Sequence, residues 1–146
     1  MKIHELKLDV KFFEEAKSGK KNFALRKNDR DYHVNDILKK HAWDSERQSY
    51  IIQNPNSKMS WQTMRLDKEG KRVPVTVEYS STITQKVKEV ITSEQLNQCD
   101  WEESTLEAMR NIDWPHVMEV LVDYFDTNQI PVGYVLMEVE VIKIKL

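Results

Sequence analysis

The chain has 146 residues, one domain's worth, with 40% apolar and 32% charged side chains, the balance of an ordinary globular protein. Its net charge of −2 argues against a uniformly basic nucleic-acid binder, and a single cysteine, Cys99, excludes an internal disulfide or a paired-cysteine metal motif. No apolar run approaches the ~18 residues of a membrane span and no signal-peptide pattern opens the chain, so a cytoplasmic protein away from membranes is expected.

In chain order, "IHELKLD" alternates, with His4, Leu6 and Leu8 on one side, and predicts a strand. Asp9 caps a short helix, "VKFFEEAKSG", with an apolar stripe of Phe12, Phe13 and Ala16 and a stop at Gly19. "NFALR" alternates again, setting Phe23 and Leu25 against Asn22, Ala24 and Arg26. "KNDRDYHVND" has the Asn/Asp content of a structured loop, and Asn35-Asp36 turns into a strand, "ILKKHAW". "SYIIQ" and "SKMSWQTMRL" are weaker strand candidates around an Asn54-Pro55-Asn56 turn. Glu69-Gly70-Lys71 turns into "VPVTVEYSSTI", a predicted strand rich in β-branched residues.

Residues 84–130 read as helical, through "QKVKEVI", "ESTLEAMRNI" and "WPHVMEVLVDYF". The last carries Val117, Val120, Leu121 and Tyr124 at i, i+3, i+4, i+7, with Pro115 suited to a first turn. "YVLMEVEVIKIKL" closes the chain as a long strand. The expected fold is α+β: one domain over 1–146, with a curved or closed sheet, flanking helices, and a helical insertion at about 84–130 before the last strand.

Chemistry is sparse. His4, His33, His41 and His116 lack the spacing of a metal pair, and three glycines leave no room for a Walker-type phosphate loop. No G-x-S-x-G elbow occurs, and Cys99 has no base beside it, so neither metal nor redox cofactor is expected. Trp43, Trp61, Trp101 and Trp114 suit core packing, although Trp43 follows the basic loop and is placed to line the same cleft.

One stretch stands out. "SGKKNFALRKNDRDYHVND", residues 18–36, carries Lys20, Lys21, Arg26, Lys27 and Arg30 around a glycine turn. Residues 1–73 hold 17 Lys/Arg against 11 Asp/Glu, whereas residues 74–146 hold 5 against 13. That asymmetry suits a basic surface facing an anion, and equally two halves that attract each other. The stretch itself reads as a solvated charged edge or as a site where turn backbone and guanidinium groups hold phosphate or a planar carbonyl edge.

Gly19-Lys20-Lys21-Asn22-Phe23-Ala24-Leu25-Arg26 resembles the G-x-K-x-x-E-x-R signature of the ASCH domain, in the PUA-like superfamily. "HELK" at 4–7 followed by "SGKKNFALRKNDRDYHVND" is more closely similar to a small stand-alone bacterial and phage family of unknown function. Its pattern runs HxLK, GKKxFExRKNDRD, a G-D strand start and a Gly-Tyr-Val closing strand, here Gly133-Tyr134-Val135. The resemblance covers residues 1–44, 73–79 and 133–142, and is silent over about 84–130.

It implies a PUA-like small β-barrel that binds RNA or a modified nucleoside in a cleft beside the signature strand. Gly19 would make the turn, with Lys21 and Arg26 pointing into the cleft. Lys20, Lys27 and Arg30 would contact phosphate or a base edge, and Tyr32 or Trp43 would stack. Two positions depart from the pattern: Ala24 replaces the acidic residue, and Asn35 the glycine before Asp36. A second implied activity is removal of the acyl group from N4-acetylcytidine, with Lys21 catalytic. The threonine that this route needs is again Ala24, leaving only a water-based route through Lys21 and Glu78. A third reading makes the acidic helical insertion a surface for a protein partner, as in a phage-type interaction module.

Overall fold

The computed structural model describes residues 1–54, 56–97 and 103–143. Cys99 and Trp101 lie outside them, as do Pro55 and the last three residues of the closing segment. β1 (Ile3–Asp9) buries His4, Leu6 and Leu8 on one side, as its alternation predicts. The Asp9 carboxylate accepts the Lys11 N–H at 3.1 Å to start α1 (Val10–Ser18), and Gly19, at φ +82°, ends it. Phe13 and Ala16 form its buried stripe.

β2 (Phe23–Lys27) and β3 (Ile37–Asp44) follow, then β4 (Ser49–Tyr50) and two hairpins. These are β5 (Ile52–Asn54) with β6 (Ser57–Gln62), and β7 (Met64–Leu66) with β8 (Arg72–Pro74), the second turning at Gly70. The long β9 (Thr82–Thr92) leads to α2 (Ser93–Leu96), α3 (Glu103–Asn111) and α4 (Trp114–Phe125), and β10 (Tyr134–Val141) closes the fold.

The main sheet has the order β1-β3-β9-β10-β2, with β4 paired antiparallel to the end of β3. Only β1 and β3 run parallel; the other pairs are antiparallel. The sheet curls into a half-barrel, so the expectation of a mixed α+β fold with a curved sheet holds at that level. Inside the curl pack Leu6, Ala24, Leu38, Val87, Val135 and Met137. On the other side Phe23, Ile91 and Leu136 meet Val117 and Leu121 of α4.

Two predicted elements are corrected. "QKVKEVI" is strand, not helix: Ile83, Gln85 and Val87 are all buried at a period of two within β9. The helical insertion therefore begins at Ser93, where Thr92 and Gln95 form a reciprocal capping box. "VPVTVEYSSTI" is not one strand. Pro74, which has no N–H for a ladder, ends β8, and a 3-10 turn at Val77–Tyr79 intervenes before β9. Tyr124, the fourth member of the α4 stripe, is 52% exposed rather than buried in the core.

One polar contact pins the sheet edge to the basic loop. Asp36 is buried and accepts hydrogen bonds from His4 Nε2 at 2.8 Å and from the Lys2 and His33 N–H groups, each at 3.0 Å. Asn35, in the left-handed region at φ +74°, makes the turn that the family glycine would make. Burial pushes the Asp36 carboxyl up, but the bonds from His4, Lys2 and His33 outweigh it and hold the pKa at about 2, against an ordinary 3.8. A carboxyl with a lower folded pKa stabilises fully above its unfolded value and loses that contribution as pH falls through the folded one. Asp36→Asn is therefore expected to lose about 2 kcal/mol at neutral pH. The difference from wild type should shrink between pH 4 and pH 2, followed by urea unfolding across that range.

Candidate functional site

The curled sheet leaves a seam between its two edge strands, β1 and β2. Edge strands expose unpaired backbone groups, and side chains of the basic stretch satisfy some of them here. Arg26 Nη2 donates to the Lys7 carbonyl at 2.8 Å, and Arg30 Nη1 donates to the Glu5 carbonyl at 3.2 Å. Glu5 and Lys7 are two apart on β1, so their carbonyls point the same way, across the seam.

The Arg26 tie separates two clefts. One, of about 400 Å³, is lined by Arg30, Tyr32, His41 and Tyr50, together with the carboxylates of Glu5 and Asp29. Lys7, Arg26 and Lys27 line it too, and Glu5 lies 3.2 Å from His41 Nε2. The other, of about 350 Å³, lies over the seam between α1 and the C-terminal end of α4. Lys21, Arg26 and Lys40 reach it, and its walls include Phe12, Tyr124 and Tyr134. Its carboxylate among the described residues is Asp9, whose oxygens already accept the Lys11 N–H and, at 2.6 Å, the Ser45 hydroxyl.

Lys40 is the unusual member. It lies on β3 between Leu38 and Ala42, both fully buried, and is itself 3% exposed. Its ammonium makes no hydrogen bond or ion pair with any described residue. Burial pushes its pKa well below the ordinary 10.5, and the Arg26 and Lys21 charges push the same way. Burial also lowers Lys21, with Arg26 adding to the effect and Glu15 opposing it. The Lys21 ammonium sits 4.5 Å from the Phe12 ring centroid and 5.4 Å from that of Phe23, so aromatic faces supply part of its solvation.

The structure brings together Lys21, Arg26 and Lys27 among the expected site residues. Lys27 stands exposed at the mouth of both clefts. Lys20 is exposed and lines neither, and Arg30 belongs to the first cleft alone. Tyr32 is 5% exposed, packed in the core with His4 at 4.7 Å. Trp43 lines neither cleft; it packs on Tyr50, with the Lys7 ammonium 3.8 Å above its ring. Ala24 is buried and offers no nucleophilic oxygen, while Glu78 is exposed on the 3-10 turn and does not reach the Lys21 cleft.

Sequence reasoning passed over Lys40, Phe12 and Tyr124. The signal for Lys40 is its phase: a lysine two residues from Leu38 and from Ala42 occupies the inward side of a strand. Among the described residues no group of three or more His, Cys, Asp or Glu side chains is placed to hold a metal ion, and no helix is long and apolar enough to cross a membrane.

Residues 3–86 match the family described as Domain of unknown function (DUF3850), which is more than half of the chain. The chain belongs to that family. Over 42 residues it is also 48% identical to the "Uncharacterized 12.9 kDa protein in GpA 3'region" of Escherichia phage P2. That match covers 29% of this chain and 38% of the phage protein. The DUF3850 segment ends inside β9 and contains Lys21, Arg26 and Lys40. Tyr124 and Tyr134, which also line this cleft, come from outside it.

Two substitutions test the polar interior. A lysine with a lowered folded pKa makes the folded state bind fewer protons than the unfolded one, so stability rises with pH toward 10.5. Lys40→Met should therefore stabilise the protein at pH 7, by roughly 1–4 kcal/mol. The gain should narrow as pH is raised toward 10, read as the difference in thermal midpoint. Gln85, fully buried on the same inward face, has neither side-chain Oε1 nor Nε2 hydrogen-bonded. Gln85→Leu should add about 1–3 kcal/mol in chemical denaturation.

Proposed function

We propose that this protein binds single-stranded RNA or a nucleoside unit in the cleft at the sheet seam, as a small ASCH-like, PUA-like module. The observation that carries the reading is that one concavity combines aromatic walls with cations that form no ion pair with any described residue. Nucleic-acid components combine a charged phosphate with a flat apolar face, and each half finds its complement here. The signature over Gly19 to Arg26 and the curled sheet support the same reading.

Size points to a small footprint. A volume of about 350 Å³ lies at the low end of small-molecule sites, ~300–1,000 Å³, and suits one nucleotide rather than a duplex. Phosphate contact falls to Lys21, Arg26 and Lys27. Stacking falls to the half-exposed ring of Tyr124 at the mouth, in place of the covered Tyr32 and Trp43. With Ala24 buried beside Lys21, the cleft is built to hold a ligand rather than to attack it.

Fluorescence polarisation of a labelled six-nucleotide RNA, at several salt concentrations, tests the reading. Binding should weaken with salt, and Lys21→Ala should reduce the slope of log affinity against log salt by roughly 0.7. Tyr124→Ala should cost about 1–3 kcal/mol if one base stacks there. Salt-insensitive binding, or none at low ionic strength, would sink the proposal.

A further inference from the structure

The geometry points to a terminal phosphate monoester as the group that fills the floor of this cleft, with Lys40 as its innermost contact. The inference rests on the binding reading above and specifies which part of a nucleic-acid ligand enters first.

Three observations carry it. Lys40 is an ammonium side chain 3% exposed, lining the cleft with no partner among the described residues. An unpaired buried cation destabilises a fold, and an entering anion removes the deficit. Next, Lys21, Arg26 and Lys40 reach the cleft together, with Lys7 and Lys27 also on its lining, and its carboxylate among the described residues, Asp9, is occupied by Lys11 and Ser45. An internal phosphodiester brings one negative charge and two free oxygens. A terminal monoester brings about 1.5 to 2 charges and three oxygens, one for each of Lys21, Arg26 and Lys40. Arg26 spends one N–H on the Lys7 carbonyl and keeps others to donate. Access is the third observation. A group that touches a side chain so nearly enclosed enters as a chain end, since a mid-chain phosphate has two ester arms that must both leave again.

The position of Ala24 agrees. The signature's acidic side chain would place a carboxylate on the inward face of β2, beside these cations. Here that side chain is a methyl group, and a lysine stands inward on β3. Without that carboxylate, the lysines and Arg26 on this lining favour a dianion over the amino edge of a base.

The test compares one six-nucleotide RNA with a 5′-phosphate, a 3′-phosphate or hydroxyls at both ends, each against wild type and Lys40→Met. A nucleoside 5′-monophosphate, its nucleoside and inorganic phosphate are titrated alongside as free ligands. The expected result is at least ~tenfold tighter binding of one phosphorylated RNA than of the hydroxyl form, with the preference abolished in Lys40→Met and reduced in Lys21→Gln. Lys40→Met should fold at least as well as wild type, and its thermal midpoint checks this. Equal affinity for all three RNAs overturns the terminal-phosphate site while leaving RNA binding in place. Binding of the nucleoside monophosphate but of no RNA, lost in Lys40→Met, upholds the phosphate site and overturns the RNA reading. Binding of none of these overturns both.

Discussion

Two guanidinium groups reaching across an open seam set the shape on which the rest depends. A sheet of this order ends in β1 on one side and β2 on the other, and the curl brings those edges face to face without pairing them. Arg26 and Arg30 satisfy the Lys7 and Glu5 carbonyls instead of a neighbouring strand. Side chains are longer than a backbone hydrogen bond, so the edges stand apart and a concavity persists between them. Arg26 thereby acquires a fixed orientation, with one face tied to the protein and the remainder turned to the cleft.

Within a few residues the interior treats buried charge in two opposite ways. Asp36 is surrounded by three donors and stays ionised, locking the strand start to the basic loop. Lys40, four residues on in the next inward layers of the same strand region, has no acceptor among the described residues and two like charges for company. The first arrangement is what a stable core requires. The second works against stability, and local rules of this kind are broken where a protein keeps a site ready for something else.

The uneven charge of the two halves of the chain looks different in three dimensions. β1, β2 and β3 come from the basic half and β9 and β10 from the acidic half, and they interleave in one sheet. Among the described residues, the direct pairs stay mostly within a half: Lys2 with Asp31, Lys39 with Glu5, Lys88 with Glu140. His116 with Glu15, at 3.6 Å, crosses between them. Among the described residues few ion pairs join the halves, and the basic side chains around the seam remain available as a group.

Local pattern by itself determined the strands β1, β2 and β10, the helix between Asp9 and Gly19, the stripe of α4 and the identity of the signature turn. Each rests on contacts between near neighbours, where side-chain period and capping chemistry act directly. It misjudged β9, because Lys and Glu spaced through "QKVKEVI" suit a helix as an isolated segment, whereas its period-two burial exists only once β3 and β10 flank it. It also named Lys21 and Arg26, yet gave no means of telling that Arg30 braces an edge while Lys20 stays in water. Tertiary structure alone decided that Lys40 and Tyr124, far apart in the chain, share a cleft with Lys21. That is because a site at a seam is made by curling of the sheet, and curling brings together residues whose spacing in the chain carries no trace of their meeting.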